Sequence, residues 1–251
     1  MEIEYDFEKR YRLLREVIET VVLTVLMFLV IRTAVQNFNI DGHSMEPSFH
    51  NGELIIVDKW SYLFSTPVRG DVLVFVAPPD HTQDYIKRVV GLPGDVITIQ
   101  NNIVYVNNKP LNERYVTPAN NGAINDKVFQ NMVVPANSYF MLGDNRAGSS
   151  DSRAWGCMPK QNIIGRAAVI YWPLRMDNNG LLPNVTSVFT GVPASTPSKS
   201  TSICPIMYPP VTASQSSPGS SSGVNTLLVI AMPALVVLWQ GRKERPGKRR
   251  H

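Results

Sequence analysis

The 251-residue chain has only two cysteines, Cys157 and Cys204, and only four histidines. Two cysteines cannot supply a disulfide framework or a cysteine-rich zinc site. His43 and His50 lie seven residues apart, which is not a spacing that suits two ligands of one metal ion. We therefore expect neither a metal nor a cofactor in this protein.

Net charge is also small outside one short segment. Lys and Arg total 24 against 20 Asp and Glu, a net charge of +4, but residues 241–251 carry six basic residues and one acidic residue. That tail has a net charge of +5, so the other 240 residues have a net charge of −1. Nucleic acid is therefore not expected as a partner of the main body. The 44% share of apolar residues excludes wholesale disorder.

One long apolar run lies near the N-terminus, at residues 17–35. As a helix it would span about 28 Å, the thickness of one hydrocarbon core, and residues 21–31 carry no charge. Basic residues precede it at Lys9, Arg10, Arg12 and Arg15. Because basic flanks stay on the cytoplasmic side, we predict an uncleaved transmembrane anchor with residues 1–16 in the cytoplasm. A cleaved signal peptide and a soluble amphipathic helix are the alternatives.

Residues 36–176 consist of short β-branched and aromatic runs separated by Gly, Pro, Asn and Asp. This pattern predicts an all-β domain. The candidate strands are 35–41, 53–60, 72–76, 85–91, 95–100, 103–107, 127–134, 139–142 and 164–172. Alternation of apolar and polar residues continues on both sides of Asn101 and Asn102, which predicts a hairpin turn there.

The C-terminal part of the chain changes character again. Residues 184–223 contain sixteen Ser or Thr, six Pro and one charged residue, so we predict a flexible linker over 177–223. Residues 224–239 carry no charge and precede the basic tail, which predicts a second transmembrane segment at 224–240 and a cytoplasmic tail at 241–251. Sixteen residues are few for a span and Pro233 interrupts them, so an interfacial tail is the alternative.

Three separated segments carry candidate chemistry. The first, Asp-Gly-His-Ser-Met-Glu-Pro-Ser at 41–48, places Ser44 in a bend bounded by Gly and Pro. A hydroxyl there can face a cleft, and a nearby backbone N–H can serve an oxyanion hole. A serine in such a turn is more often only part of the turn.

The second segment, residues 84–95, puts Lys87 and Arg88 side by side in an otherwise apolar strand. Alternation sends them to opposite faces, so one of them points inward or into a cleft. Only about one ordinary lysine in 2,500 is neutral at pH 7. Burial, together with the like charge of Arg88, would lower the pKa of Lys87 and make it a usable base. The alternative is a surface lysine on an edge strand.

The third segment, residues 143–153, is dense in small and charged residues and directly follows a strand. Loops of this kind position sites or bind ions. The alternative is a surface loop whose Asp–Arg pairs contribute little.

Together the three segments resemble the type I signal peptidases, membrane-bound serine proteases with a Ser/Lys dyad. The family's Ser-Met-x-Pro-Thr stands at 44–48, with Ser48 in place of Thr. Its Lys-Arg-Val and Gly-x-Pro-Gly-Asp stand at 87–89 and 91–95, and Gly-Asp-Asn-Arg-x-x-Ser-x-Asp-Ser-Arg is matched at every fixed position of 143–153. The resemblance covers about residues 15–173. It implies a mainly β fold: an antiparallel β-sheet catalytic domain with a small inserted cap at about 100–137.

The resemblance also implies a role for each matching residue. Ser44 is the expected nucleophile and neutral Lys87 the expected general base. Ser149 is expected to hydrogen-bond and orient the Lys87 amine, and Met45 to pack beside the dyad and desolvate it. The other supporting residues are expected to form bracing ion pairs: Arg88, Asp144, Asp151 and Arg153. Gly42 stands where many members carry an oxyanion-hole hydroxyl, which leaves the Ser44 backbone N–H as a donor.

The implied function is cleavage of N-terminal signal peptides from exported preproteins, after small residues in an A-x-A-like pattern. The expected partners are those signal peptides and the lipid bilayer, with the export machinery as a further candidate. The expected location is the bacterial plasma membrane, with the catalytic domain on the extracytoplasmic side. Two alternatives remain: a membrane-tethered β domain whose inactive site only binds, and a self-cleaving Ser/Lys protein.

Overall fold

The computed structural model describes residues 2–121, 129–174, 180–194 and 202–210. The chain divides into two compact units, one of residues 1–34 and 220–251 and the other of residues 35–219. The described element of the first unit is one helix, and the second unit is built from strands. The predicted second transmembrane segment at 224–240 and the basic tail lie outside the described residues.

Helix α1 (Glu2–Ala34) forms the described part of the first unit. Its portion Arg10–Ala34 is long and apolar enough to cross a membrane, as the run at 17–35 predicted. The helix begins fifteen residues before that run. The leader is rich in Glu, Arg and Leu, which favour helix, and Arg15 pairs with Glu19 one turn later at 2.7 Å. The helix ends at Ala34, and the chain then enters a strand.

The described part of the second unit contains twelve strands. They are β1 (Val35–Asn39), β2 (Leu54–Asp58), β3 (Val72–Val76), β4 (Asp84–Gly91), β5 (Val96–Gln100), β6 (Ile103–Val106), β7 (Lys109–Pro110), β8 (Phe129–Val133), β9 (Ser138–Leu142), β10 (Met158–Pro159), β11 (Ile163–Trp172) and β12 (Ser202–Ile203). Three four-residue helices accompany them: α2 (Ser61–Phe64), α3 (Ser152–Trp155) and α4 (Thr186–Phe189).

The strands form two sheets. The first has the order β1-β2-β11-β3-β4-β9-β10 and the second the order β12-β8-β5-β6-β7. All pairs of the first sheet are antiparallel, whereas β12 runs parallel to β8. This confirms the mainly antiparallel β fold. Strand β4 lies between β3 and β9, both of which are buried along their whole length, so side chains on β4 are held in a well-packed environment.

Each of the nine predicted strands is present, and the prediction for 72–76 matches β3 residue for residue. Asn101 and Asn102 have φ angles of 51° and 61° and form the turn between β5 and β6, as expected for a two-residue hairpin. Strands β7, β10 and β12 were not predicted, because two residues are too few to show alternation. Residues 100–137, the predicted cap, supply β6, β7 and β8 of the second sheet.

The structure describes residues 180–194 and 202–210 of the range predicted as a flexible linker, 177–223. We name residues 180–194 and 202–210 the C-terminal strap. Its Val185 and Phe189 are buried in a core cluster that contains residues of both sheets, and its Cys204 forms a disulfide with Cys157. The average Ser/Thr/Pro composition conceals these few apolar anchors, and a pair of cysteines does not reveal by spacing whether it is bonded.

Candidate active site

Ser44 lies in the turn between β1 and β2. Its neighbours Met45 and Phe49 are buried in the core cluster that also contains residues of β2, β3 and β11. Gly42 has a φ of 108°, a conformation that glycine adopts without strain, and its N–H donates to Asn51 Oδ1 at 2.9 Å. These anchors fix the turn and leave Ser44 half-buried.

Lys87 meets Ser44 from β4. Its Nζ donates to Ser44 Oγ at 2.6 Å and to the Ile86 carbonyl at 3.0 Å. The side chain is 4% exposed, and Nζ lies 5.2 Å from the centre of the Tyr85 ring. Burial lowers the pKa of Lys87 from 10.5 to about 8, opposed by the negative charges of Asp151 and Asp144. About one Lys87 in ten is then neutral at pH 7, which makes a usable base.

Ser149 is buried near residues 41–48, which we name the nucleophile segment after the predicted role of Ser44. It does not make the predicted bond to Lys87. Its Oγ has no hydrogen-bond partner among the described residues. Gly143 lies between it and Ser44, since a Cβ on Gly143 would overlap Ser149 Oγ and lie 2.5 Å from the Ser44 carbonyl oxygen. The structure therefore brings the predicted residues together without that hydrogen bond.

Arg88 and Asp144 form a buried ion pair. Arg88 Nε and Nη2 donate to the two carboxylate oxygens at 2.8 Å and 2.5 Å. Nη2 also donates to Ser48 Oγ at 3.3 Å, and the guanidinium lies 4.5 Å from the centre of the Tyr115 ring. Lys87 and Arg88 are thus both buried, whereas alternation predicted only one inward-pointing cation. The Arg88–Asp144 pair connects β4 to the third segment. Arg88 also connects β4 to Ser48, which stands in place of the family's Thr.

Asp151 and Arg153 form the second predicted ion pair. Arg153 Nε donates to Asp151 Oδ1 and Nη2 to Oδ2, both at 2.8 Å. Asp151 Oδ2 also accepts the N–H of Gly143 at 3.1 Å, and Arg153 Nη2 donates to the Arg146 carbonyl at 2.7 Å. The pair therefore holds both ends of the loop that carries Ser149.

Three residues that hold this loop escaped prediction. Arg146 and Glu113 form a buried bidentate pair at 2.8 Å and 2.5 Å, which ties the loop to the second sheet. Asn145 donates from its side chain to the His43 carbonyl at 3.1 Å and from its N–H to the Ser44 carbonyl at 3.0 Å. Asn145 and Arg146 belong to the third motif, but Glu113 stands in a stretch without any pattern and gave no signal.

Among the described residues, no group of three or more His, Cys, Asp or Glu is placed to hold a metal ion. The contact between Lys87 Nζ and Ser44 Oγ supports the chemistry of a hydroxyl nucleophile beside a buried amine.

Comparison with known families shows to which family the chain belongs. The family described as "Signal peptidase, peptidase S26" matches residues 14–172. The chain belongs to the signal peptidase family. This confirms the resemblance to type I signal peptidases. All the predicted site residues lie within the matched range, whereas the C-terminal strap lies beyond it.

Individual signal peptidases are similar over most of their own length. Signal peptidase I of Leptolyngbya laminosa is 40% identical over 169 residues, which cover 64% of this chain and 81% of that protein. Signal peptidase I of Bacillus caldolyticus is 37% identical over 148 residues, covering 55% and 80%. Signal peptidase IB of Staphylococcus aureus is 33% identical over 187 residues, covering 69% and 97%.

Among solved structures, signal peptidase I of Enterococcus faecalis V583 is 30% identical, with a TM-score of 0.36, and the match covers 41% of this chain and 97% of that one. Membership of the signal peptidase family, together with the apolar helix α1, identifies a membrane-anchored protein.

Proposed function

We propose that this chain is a membrane-bound serine endopeptidase that removes signal peptides from exported preproteins, with Ser44 as nucleophile and Lys87 as general base. The observation that carries the proposal is the 2.6 Å contact between Lys87 Nζ and Ser44 Oγ. Burial of that amine with a pKa of about 8 supplies the neutral form that a base requires.

The reaction follows from this contact. Neutral Lys87 takes the Ser44 proton while Oγ attacks the scissile carbonyl, and the Ser44 N–H binds the oxyanion that forms. The Lys87 ammonium then protonates the leaving amine, which releases the mature N-terminus and leaves an acyl-enzyme. Lys87 next takes a proton from water as the hydroxide attacks the acyl group. The bond between the acyl carbon and Ser44 Oγ then breaks, which releases the signal peptide with a free carboxyl group. Return of the proton from Lys87 to Ser44 Oγ regenerates the enzyme.

The other predicted site residues support the dyad in this proposal. Ser149, whose Oγ has no partner among the described residues, is the proposed hydrogen-bond partner of the Lys87 amine during turnover. Met45, buried next to Ser44 in sequence, keeps water from the dyad. The two ion pairs, Arg88–Asp144 and Asp151–Arg153, brace the strand and the loop that meet at the nucleophile.

The proposed location is the bacterial plasma membrane, with residues 1–16 in the cytoplasm and the catalytic unit on the extracytoplasmic side. The basic residues before the apolar run support this orientation. The Cys157–Cys204 disulfide supports it independently, because disulfides persist in oxidising compartments and are rare in the cytosol. In this arrangement 224–240 forms the proposed second span.

The proposed substrates are signal peptides that carry small residues before the cut, since such residues define the A-x-A-like end of a secretory signal. Anchoring places enzyme and substrate in one bilayer, which reduces the entropy lost on association. The export machinery, which delivers these substrates, is a further proposed partner.

Cleavage of a preprotein tests the function directly. The purified full chain in detergent is expected to cut a preprotein after its A-x-A site, with the new N-terminus identified by mass spectrometry. Ser44→Ala and Lys87→Ala are each expected to abolish cleavage. Ser150→Ala, an exposed serine of the same loop, is the matched control and keeps full activity.

The alternatives give different results in that assay. A binding module with an inactive site would leave the preprotein uncut at every enzyme concentration. A self-cleaving protein would cut its own chain at a rate independent of concentration and would spare the preprotein. Undiminished cleavage by Lys87→Ala would refute the dyad.

A further inference from the structure

Asn145 donates hydrogen bonds to two successive carbonyls of the nucleophile segment. Its side-chain Nδ2 donates to the His43 carbonyl at 3.1 Å, and its backbone N–H donates to the Ser44 carbonyl at 3.0 Å. The other end of its carboxamide is also held, because Oδ1 accepts the N–H of Gly148 at 3.1 Å. The orientation of the carboxamide is therefore fixed by a partner at each end.

The His43 carbonyl belongs to the same peptide group as the Ser44 N–H. A trans peptide is planar, and its C=O and N–H point in opposite directions. Fixing the direction of the carbonyl therefore fixes the direction of the N–H. Within the described part of the chain, the Ser44 N–H makes no hydrogen bond, so it is available to an oxyanion.

Glycine at position 42 increases the importance of that N–H. It provides no hydroxyl, and its φ of 108° is one that other residues rarely adopt. The nucleophile segment thus offers the Ser44 N–H without help from side chain 42. A donor of an oxyanion hole acts only if it is aimed at the position of the developing charge.

We propose that Asn145 is a positioning residue: by holding the His43 carbonyl, it aims the Ser44 N–H at the oxyanion of the transition state. The inference rests on the proposed function and adds to it a residue that touches neither the Ser44 hydroxyl nor the Lys87 amine. Because the oxyanion exists only after attack, the effect belongs to the chemical step and not to substrate binding.

Asn120 provides a matched control on the same segment. Its Nδ2 donates to the Glu46 carbonyl, also at 3.1 Å, so Asn120→Ala removes a bond of the same kind and length without touching the His43–Ser44 peptide. Gly148→Ala is a second probe, since its Cβ would lie 2.9 Å from Asn145 Nδ2 and would crowd the carboxamide while Asn145 itself stays in place.

The test measures kcat, KM, the pH profile and the melting temperature of the full chain in detergent with a preprotein substrate. Asn145→Ala is expected to lower kcat about tenfold to a hundredfold, which is less than or equal to the loss of a whole oxyanion-hole donor. KM is expected to change less than about twofold, and the apparent pKa of the profile to stay with Lys87. Asn145→Asp keeps the acceptor for the Gly148 N–H but places a carboxylate oxygen against the His43 carbonyl. Its kcat is therefore expected to fall further than that of Asn145→Ala, and the kcat of Gly148→Ala is expected to fall less.

Several results would overturn the proposal. One is a fall in kcat for Asn145→Ala no larger than that for Asn120→Ala. Another is a rise in KM with kcat unchanged, and a third is a shifted apparent pKa in the pH profile. Loss of folding in both Asn145→Ala and Asn145→Asp would also overturn it, because the residue would then be structural. The unsubstituted chain and Ser44→Ala, run in the same assay, report separately on whether the protein is a peptidase.

Discussion

Gly143 and Ser44 meet backbone to backbone, so closely that a Cβ on Gly143 would lie 2.5 Å from the Ser44 carbonyl oxygen. The same Cβ would overlap the Ser149 hydroxyl. The contact joins the turn that carries Ser44 to the loop of residues 143–153. Glycine is required here for space, because no side chain fits between the two segments.

Gly143→Ala is therefore expected to push the nucleophile segment away from the loop. This change should lower kcat/KM by at least about tenfold, because a displacement of roughly 1 Å near a reacting group lowers the rate by that factor or more. Preprotein cleavage measures the effect. Ala147→Ser, an exposed position of the same loop, is the control with unchanged activity. Equal activities of Gly143→Ala and the parent chain would contradict the close contact.

The rate of cleavage is expected to follow the neutral fraction of Lys87. Because burial lowers the pKa of Lys87 to about 8, kcat/KM should rise about tenfold per pH unit below pH 8 and level off above it. An ordinary lysine would move that rise to about pH 10.4. A profile that is flat between pH 6 and pH 9 would contradict Lys87 as the base.

Removal of the dyad amine is expected to stabilise the fold at neutral pH. The pKa of Lys87 is lower in the folded chain than in the unfolded chain, so burial of its charged form costs about 3 kcal/mol below pH 8. This cost falls as the pH rises from 8 towards 10.5, where the unfolded chain also loses the proton. Lys87→Met should therefore raise the free energy of unfolding at pH 7 and have a much smaller effect at pH 10.

Urea unfolding in detergent, followed by tryptophan fluorescence, measures this difference. Lys160→Met, at an exposed lysine, is the control and should change the free energy of unfolding by less than about 0.5 kcal/mol. A Lys87→Met chain that is less stable than the parent at pH 7 would contradict the expectation that burial of the charged Lys87 amine lowers the free energy of unfolding.

The Cys157–Cys204 disulfide is expected to stabilise the catalytic unit by about 2–4 kcal/mol, because it closes a long loop between residues 47 positions apart. The double variant Cys157→Ser/Cys204→Ser should lose that amount in urea unfolding. A reductant should lower the stability of the parent chain to that of the variant and leave the variant unchanged. A parent chain insensitive to reductant, with two thiols that react with a thiol reagent when native, would show that the bond is absent.

Much of the candidate active site could be predicted from the sequence, because its residues lie in three short segments of fixed spacing. Those segments predicted that Ser44 and Lys87 belong to one site, and the structure places them in contact across 43 residues of chain. Alternation located the hairpin at Asn101, since a half-buried sheet imposes a period of two. A short continuous apolar run located β3, which is buried on both faces. Such patterns are local, and they identify residues whose neighbours in sequence share the same role.

The remainder depends on contacts between residues that carry no common pattern. Glu113 pairs with Arg146 across 33 residues, and nothing around Glu113 marks it as the partner of a buried arginine. Asn145 acts through backbone carbonyls, which every residue possesses. Val185 and Phe189 are buried within a stretch whose composition is that of a linker, because two apolar side chains suffice to dock it on an existing core.

The strap has a practical consequence for anyone who shortens this protein. A recombinant fragment that stops at residue 172, where the family match ends, would leave out Val185, Phe189 and Cys204. It would expose part of the core cluster that these three residues share with Ile97, Phe140 and Leu142. Cys157 would be left as a free thiol. The shortest fragment that retains the whole core therefore extends past Cys204, at least thirty-two residues beyond the recognisable peptidase.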